Sequence, residues 1–195
     1  MTEGDPRRVR EGTIPGAGVL GMWVFLATLA MLFIAAIAGY LVVRLRAADW
    51  PPKGMPRLPA GLWLATSLLL AASVTIHRAG TSIRSEGRAA CTRWLAATLA
   101  LGAAFLVVQS WNWWGLIRLH LTASSNLYAF TFFMLTGLHA AHVIGGLALL
   151  SVGLVRARAG RYGVEHHPCV TYASMYWHFL DVTWIVLFAV MVVFA

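Results

Sequence analysis

Four ionisable side chains lie inside two of the most apolar segments of this 195-residue chain. They are His139 and His142 in one segment, and His178 and Asp181 in the other. The members of each pair are three residues apart, so on a helix they share a face. Histidine and aspartate can ligate haem or a metal, relay protons, or form hydrogen bonds between helices. Because hydrocarbon rejects an idle charge, these residues indicate either a functional site or a buried polar contact.

The segments around them predict an all-α integral membrane protein. Apolar residues make up 59% of the chain and charged residues only 11%, which is too little charge for the surface of a soluble domain. An apolar run of about 18 or more residues predicts a transmembrane helix. We therefore predict one five-helix bundle after an N-terminal tail, residues 1–18, with spans at about 19–43, 59–76, 94–117, 127–155 and 170–194. All seven prolines lie outside these spans or at their edges.

The basic residues predict how the bundle is oriented. With the spans assigned as above, ten Lys and Arg residues lie on the side of the N-terminus and five on the other side. This excess predicts a cytoplasmic N-terminus and a periplasmic C-terminus. The formal charge of +8 lies in connections beside apolar spans, so we predict no nucleic-acid partner. Six cytoplasmic arginines are candidates for lipid head-group contacts: Arg84, Arg88, Arg93, Arg156, Arg158 and Arg161.

The two polar pairs are predicted at similar depth. By the rise of a helix, His139 and Asp181 each lie about 16 to 18 Å from a helix end, so that the two pairs are able to meet near the bilayer midplane. Haem or metal ligation by the histidines is one interpretation, although the set is small for it. A proton relay is a second, with Asp181 as the only acid in any span. The third, which we favour, is a set of hydrogen bonds that fixes helix order.

The sequence contains no motif for hydrolysis or nucleotide binding. Serine-hydrolase, zinc-protease and phosphate-loop patterns are all absent from it. We therefore predict no catalytic residue, no metal ligand and no cofactor-binding residue in this chain.

Several stretches of the sequence, in order, follow the pattern of one membrane-protein family. Any one of them alone is a weak signal, but their order and spacing are specific. They are GMWVFLA at 21–27, WPP at 50–52, SVTIH at 73–77, TGLH at 136–139 with HVIGG at 142–146, and YWHFLDVTW at 176–184. From Gly21 to Phe188 the chain resembles subunit III of the haem-copper terminal oxidases, the cytochrome c and quinol oxidases.

The resemblance implies the five-helix form typical of bacteria, a multi-pass protein of the inner (plasma) membrane. It implies an accessory subunit of a proton-translocating respiratory oxidase that has no active site of its own. Such a subunit contacts the catalytic subunit I directly and assembles with subunit II and others. Haem and copper are then expected in the partner subunits, and phospholipid is expected to bind this chain. Family members support proton uptake and stabilise the catalytic subunit.

Three positions depart from the family pattern. Leu29, Asn112 and Thr171 stand where many relatives have glutamate, so roles of those acids in lipid binding or proton handling are not carried over. The electron donor stays open, and a nitric oxide reductase subunit of the same family is one alternative. A small haem-b membrane cytochrome that uses the intramembrane histidines is another. A transporter is disfavoured because the sequence shows no internal repeat.

Overall fold

The computed structural model describes residues 17–52, 54–56, 58–85, 87–158 and 168–194. These residues form five α-helices and no strand: α1 (Ala17–Arg46), α2 (Gly61–Ser85), α3 (Arg88–Arg118), α4 (Leu127–Arg158) and α5 (Pro168–Val193). Each helix is long and apolar enough to cross a membrane. The predicted all-α, five-helix class is therefore confirmed. The orientation of the termini stays a prediction.

The connection between α2 and α3 is much shorter than the sequence predicts. The apolar spans leave residues 77–93 between them, but α2 continues to Ser85 and α3 begins at Arg88. No proline lies in this stretch, so the helix does not stop where the apolar run stops. Gly87 makes the turn with a φ of 87°, a conformation that costs glycine little. Arg78 therefore lies on α2, with its guanidinium 5.1 Å from the centre of the Trp94 ring on α3.

Helices α2 to α5 form a ring, and α1 packs on its outside. Each ring helix contacts the next in chain order, and α5 closes the ring against α2. In the described parts of the chain, α1 contacts α4 and α5 but not α2 or α3. Its buried side chains are Leu26, Phe33 and Tyr40. Because these residues are seven apart, a single narrow stripe of α1 faces the ring.

The ring interior is filled by large side chains of α5 together with Phe105 of α3 and leucines of α2, α3 and α4. Trp177, Leu180, Trp184 and Leu187 of α5 are all buried. Each lies three or four residues from the next, so one face of α5 forms the centre of the bundle. The polar residues on the flanks of that face are thereby aimed at α2 and α4.

Candidate functional site in the membrane-spanning helices

His139 lies at the centre of the bundle in an aromatic enclosure. Its side chain is 0% exposed, and its ring centre lies 6.3 Å from that of Phe33 on α1, 5.7 Å from Phe105 on α3 and 4.9 Å from Trp184 on α5. Neither ring nitrogen has a hydrogen-bond partner among the described residues. A buried polar atom without a partner costs about 1 to 3 kcal/mol. His139 therefore contributes packing volume and no visible polar contact.

His142 lies one turn further along α4 and faces α1. Its Nδ1 is 2.7 Å from the carbonyl oxygen of Leu138, a group that can only accept, so Nδ1 carries a proton and donates it. Its ring centre lies 5.0 Å from that of Phe33. The hydroxyl of Tyr176 on α5 donates to the His142 carbonyl oxygen at 3.0 Å. Phe33 is thus the shared neighbour of both histidines on α4.

The second pair lies at a different interface, between α5 and α2. His178 Nδ1 is 2.9 Å from the Ser73 hydroxyl on α2 and 3.9 Å from an Asp181 carboxylate oxygen. Asp181 is only 4% exposed. The Ser73 hydroxyl also interacts with Asp181, but neither carboxylate oxygen has a hydrogen bond of good geometry within the described chain. The hydrogen bond of Ser73 is therefore the one to His178, at 2.9 Å.

The predicted cluster is therefore divided into two pairs. In the part of the chain that the structure describes, no hydrogen bond or ion pair links His139 or His142 to Asp181. The α5 side chain that packs on the His139 ring is Trp184, three residues after Asp181. Whether either pair has a functional role stays a prediction. Across the same described residues, no group of three His, Cys, Asp or Glu side chains could hold a metal ion.

A crevice with a partly polar lining opens beside the second pair. It has a volume of about 280 Å³ and lies between the C-terminal half of α2 and the N-terminal half of α5. We call it the α2–α5 crevice; its polar lining comprises His77, Thr81, Thr171, Ser174 and His178. The ring centres of His77 and His178 are 6.4 Å apart.

Hydrogen bonds between the helices come mostly from residues that sequence reasoning did not single out as a site. Trp184 Nε1 donates to Thr66 Oγ1 at 2.9 Å, which joins α5 to α2. Trp113 Nε1 donates to Thr136 Oγ1 at 3.0 Å, which joins α3 to α4. Thr66 and Ser73 both contact α5 and are seven residues apart on α2. That spacing, two hydroxyls on one helix face, is the signal that could have identified this interface.

The three positions that depart from the family pattern have different environments. Leu29 is partly buried against the hydrophobic core. Asn112 is buried, and its amide occupies the space in which a Cβ at Gly61 would lie, so the absent side chain of Gly61 admits it. Thr171 lines the α2–α5 crevice. Of the three, only Thr171 lies near an ionisable pair.

The candidate lipid-binding arginines whose side chains the structure describes all lie at one end of the bundle. Arg93 is exposed near the start of α3, and Arg156 and Arg158 are exposed in the last turn of α4. Since α3 and α4 are consecutive transmembrane helices, these two ends lie on the same side. The side chains of Arg84 and Arg88, and all of Arg161, lie outside the described residues.

Comparison with known proteins gives the same family over almost the whole chain. The family model for cytochrome c oxidase subunit III matches residues 11–195. Cytochrome c oxidase subunit 3 of Synechocystis sp. is 35% identical over 176 residues, which cover 89% of this chain and 74% of that protein. The subunit 3 of Thermostichus vulcanus is 34% identical over 178 residues, covering 91% of this chain and 87% of that protein. A probable subunit 3 of Nocardia farcinica is 31% identical over 189 residues, covering 94% and 91%.

These matches confirm the resemblance seen in the sequence, and they fit a multi-pass membrane protein made of five spanning-type helices. All three relatives are named as subunit 3 of cytochrome c oxidase, an oxidoreductase. The chain belongs to the cytochrome c oxidase subunit III family, the accessory membrane subunits of haem-copper oxidases.

Proposed function

We propose that this chain is a non-catalytic subunit of a bacterial cytochrome c oxidase, located in the inner membrane and in direct contact with the catalytic subunit I. The observation that carries the proposal is the family match over residues 11–195, which includes all five helices. The names of the relatives favour cytochrome c over quinol as electron donor. In this proposal haem and copper belong to the partner subunits, and subunit II and others complete the complex.

The surface of the bundle supports a subunit that is surrounded by lipid and neighbouring helices. On α1, Leu20, Met31 and Ile34 are each more than half exposed, although they are large and apolar. Association of helices in a bilayer depends on close packing rather than on removal of apolar surface from water. A helix held by one narrow stripe therefore has most of its surface available for lipid or for a partner subunit. We propose that the chain stabilises subunit I and supports proton uptake by it through such contacts.

Affinity purification tests this assignment. A tagged chain extracted in mild detergent is expected to bring down larger membrane subunits and the haem spectrum of an oxidase. The same chain expressed without its partners is expected to show no Soret band. A Soret band in the isolated chain would instead indicate a haem-b cytochrome. Recovery as a stable monomer from the native membrane, with no partner, would also contradict the proposal.

Removal of the chain tests the stabilising role. An oxidase assembled without it is expected to begin turnover at a normal rate and to lose activity faster during sustained turnover. The control is the same strain with the chain restored from a plasmid. Unchanged activity over many turnovers would show that the chain does not protect the catalytic subunit.

We further propose that the N-terminus is cytoplasmic and that basic residues at that end bind anionic phospholipid. Each basic residue near a charged membrane surface contributes about 1 kcal/mol. The double substitution Arg156→Gln with Arg158→Gln is expected to reduce the phosphatidylglycerol or cardiolipin that co-purifies. The matched control, Arg46→Gln with Arg118→Gln, removes two charges from the opposite end and should leave it unchanged. Equal lipid content in both variants would rule out the lipid role.

A further inference from the structure

His178 lines the α2–α5 crevice and lies 3.9 Å from the Asp181 carboxylate. The side chain of His178 is 41% exposed and forms part of the crevice wall, whereas the neighbouring Asp181 side chain is 5% exposed. A crevice of about 280 Å³ has room for several water molecules, each of which takes about 30 Å³ in the liquid. Its hydroxyl and imidazole lining supplies the polar partners that such waters need.

Asp181 needs a partner that the described protein does not provide. Neither of its oxygens has a well-formed hydrogen bond to any described residue, and it lies in a membrane-spanning helix. An isolated charge in that position is too costly to persist, so the carboxyl must be neutral or must contact water. His178, which is 3.9 Å from Asp181, lines the α2–α5 crevice, a space that can hold water.

A second cavity reaches His178 from the other side and differs in chemistry. This α1–α5 groove has a volume of about 570 Å³. Apart from His178 its lining is apolar and includes Leu26, Ala27, Ala30 and Val182. Apolar cavities stay dry or take apolar ligands, whereas polar ones hold water. His178 therefore stands between a space suited to water and a space suited to hydrocarbon.

We propose that the α2–α5 crevice is a water-filled passage through which Asp181 exchanges its proton with one aqueous phase, with His178 as the relay. The Ser73 hydroxyl donates to His178 Nδ1, which leaves the ring proton on Nε2. The Ser73 hydroxyl, which also interacts with Asp181, then gives its proton to Nδ1 and takes up the Asp181 proton, while Nε2 releases its own proton to a crevice water. The products are an Asp181 carboxylate, a neutral imidazole with its proton on Nδ1, and a hydronium ion. The reverse transfers reload the acid.

The surroundings of the pair are consistent with this route. From α2, Ser73 contacts His178 and His77 lines the crevice. From α4, His139 packs against Trp184 and forms no described ion pair with Asp181. From α1, which also packs on α5, no charged side chain is found in an ion pair with Asp181 among the described residues. The relay thus consists of α2 and α5 residues alone. It does not depend on which electron donor the complex uses.

Infrared difference spectroscopy of the purified complex tests the passage. The wild-type spectrum minus that of Asp181→Asn isolates the carboxyl band of Asp181. We expect this band to shift when H2O is replaced by D2O. Ser174→Leu, which fills the crevice, should slow that exchange by about tenfold or more, corresponding to an added barrier of about 1.4 kcal/mol. A band that responds neither to D2O nor to pH would overturn the proposal.

The α1–α5 groove supplies the matched control. Ala27→Leu and Ala30→Leu fill it with similar added volume and should leave the exchange rate unchanged. If these substitutions slow exchange and Ser174→Leu does not, the proton reaches Asp181 from the lipid-facing side and the crevice is not the passage.

Cysteine labelling gives a second measurement. It does not require the Ser174→Leu variant to fold correctly. In a complex with Cys91→Ser and Cys169→Ser, we expect Ser174→Cys to react with a charged, membrane-impermeant methanethiosulfonate. We expect Ala27→Cys to react only with a lipid-soluble maleimide. Applying the charged reagent to sealed vesicles of each orientation identifies the side on which the crevice opens. An assembled complex in which Ser174→Cys resists the charged reagent from both sides would refute the proposal.

Discussion

The two polar pairs of this bundle have the same spacing in the sequence and opposite environments in the fold. His139 and His142 on α4 face the ring of Phe33, and His139 has aromatic rings on three sides. His178 and Asp181 on α5 face Ser73 and the α2–α5 crevice. The spacing places each pair on one face of a helix, but the facing helix decides what that pair can do. An imidazole among aromatic rings fills space, whereas one beside hydroxyls and water can transfer a proton.

Removing Phe33 should have the largest effect on the aromatic pair. Phe33→Ala deletes a ring that is 3% exposed and touches His139, His142 and Phe179. Truncation of a buried phenylalanine costs about 3 to 5 kcal/mol in protein cores. We expect a loss of this size in the free energy of unfolding of the purified chain, measured by SDS titration in mixed micelles with circular dichroism as the readout.

The neighbouring residue on α1 is the control for this substitution. Ile34 is 64% exposed, so Ile34→Ala should change the free energy of unfolding by no more than about 0.5 kcal/mol. Equal losses in the two variants would mean that α1 is held by a broad surface rather than by the stripe that contains Phe33.

His139 and His178 should respond in opposite ways to substitution by leucine. His139→Leu replaces an imidazole without a described partner by an apolar group of similar size, so the free energy of unfolding should stay the same or rise by about 1 to 3 kcal/mol. His178→Leu removes the partner of Ser73 and should lower the free energy of unfolding by about 1 to 3 kcal/mol. The same SDS titration measures both. A loss in His139→Leu as large as that in His178→Leu would show that His139 has a polar partner and that the comparison fails.

The bundle could be predicted from the sequence because hydrocarbon imposes one strong rule. Each apolar run must form a helix, so the number and order of the helices follow from hydropathy and from the positions of the prolines. The ends of the helices are less determined. Residues 77–85 are polar enough to be taken for a loop, yet nothing in them breaks a helix, and α2 continues through them.

The sequence predicts which residues belong to the candidate site, but it does not predict which side chains they contact. The sequence selects His139, His142, His178 and Asp181 together, since intramembrane ionisable residues face a bundle interior, and the structure buries His139 and Asp181 more deeply than the other two. The sequence does not show that α5 turns Asp181 towards α2 while α4 turns His139 towards aromatic rings. Those directions depend on the rotation of each helix about its axis. That rotation is set by packing of large side chains such as Trp184, which no local pattern encodes.

The smallest expected effect separates the two buried tryptophans of α5. Trp184 and Trp177 are both almost fully buried, but Trp184 Nε1 donates to Thr66 on α2, whereas Trp177 Nε1 has no partner among the described residues. Substitution by phenylalanine removes the same volume at each position. At Trp177 it also removes an N–H group without a described partner, which by itself favours that variant. Thr66 keeps its own hydrogen bond to the Leu62 carbonyl oxygen and is not stranded. The hydrogen bond of Trp184 is therefore reported by the part of the difference that depends on Thr66, and we expect that part to be about 1 kcal/mol. Repeating both substitutions in a Thr66→Val background should reduce the difference by this amount. If the difference is unchanged there, the contact between α5 and α2 depends on Ser73 and His178 rather than on the hydrogen bond of Trp184.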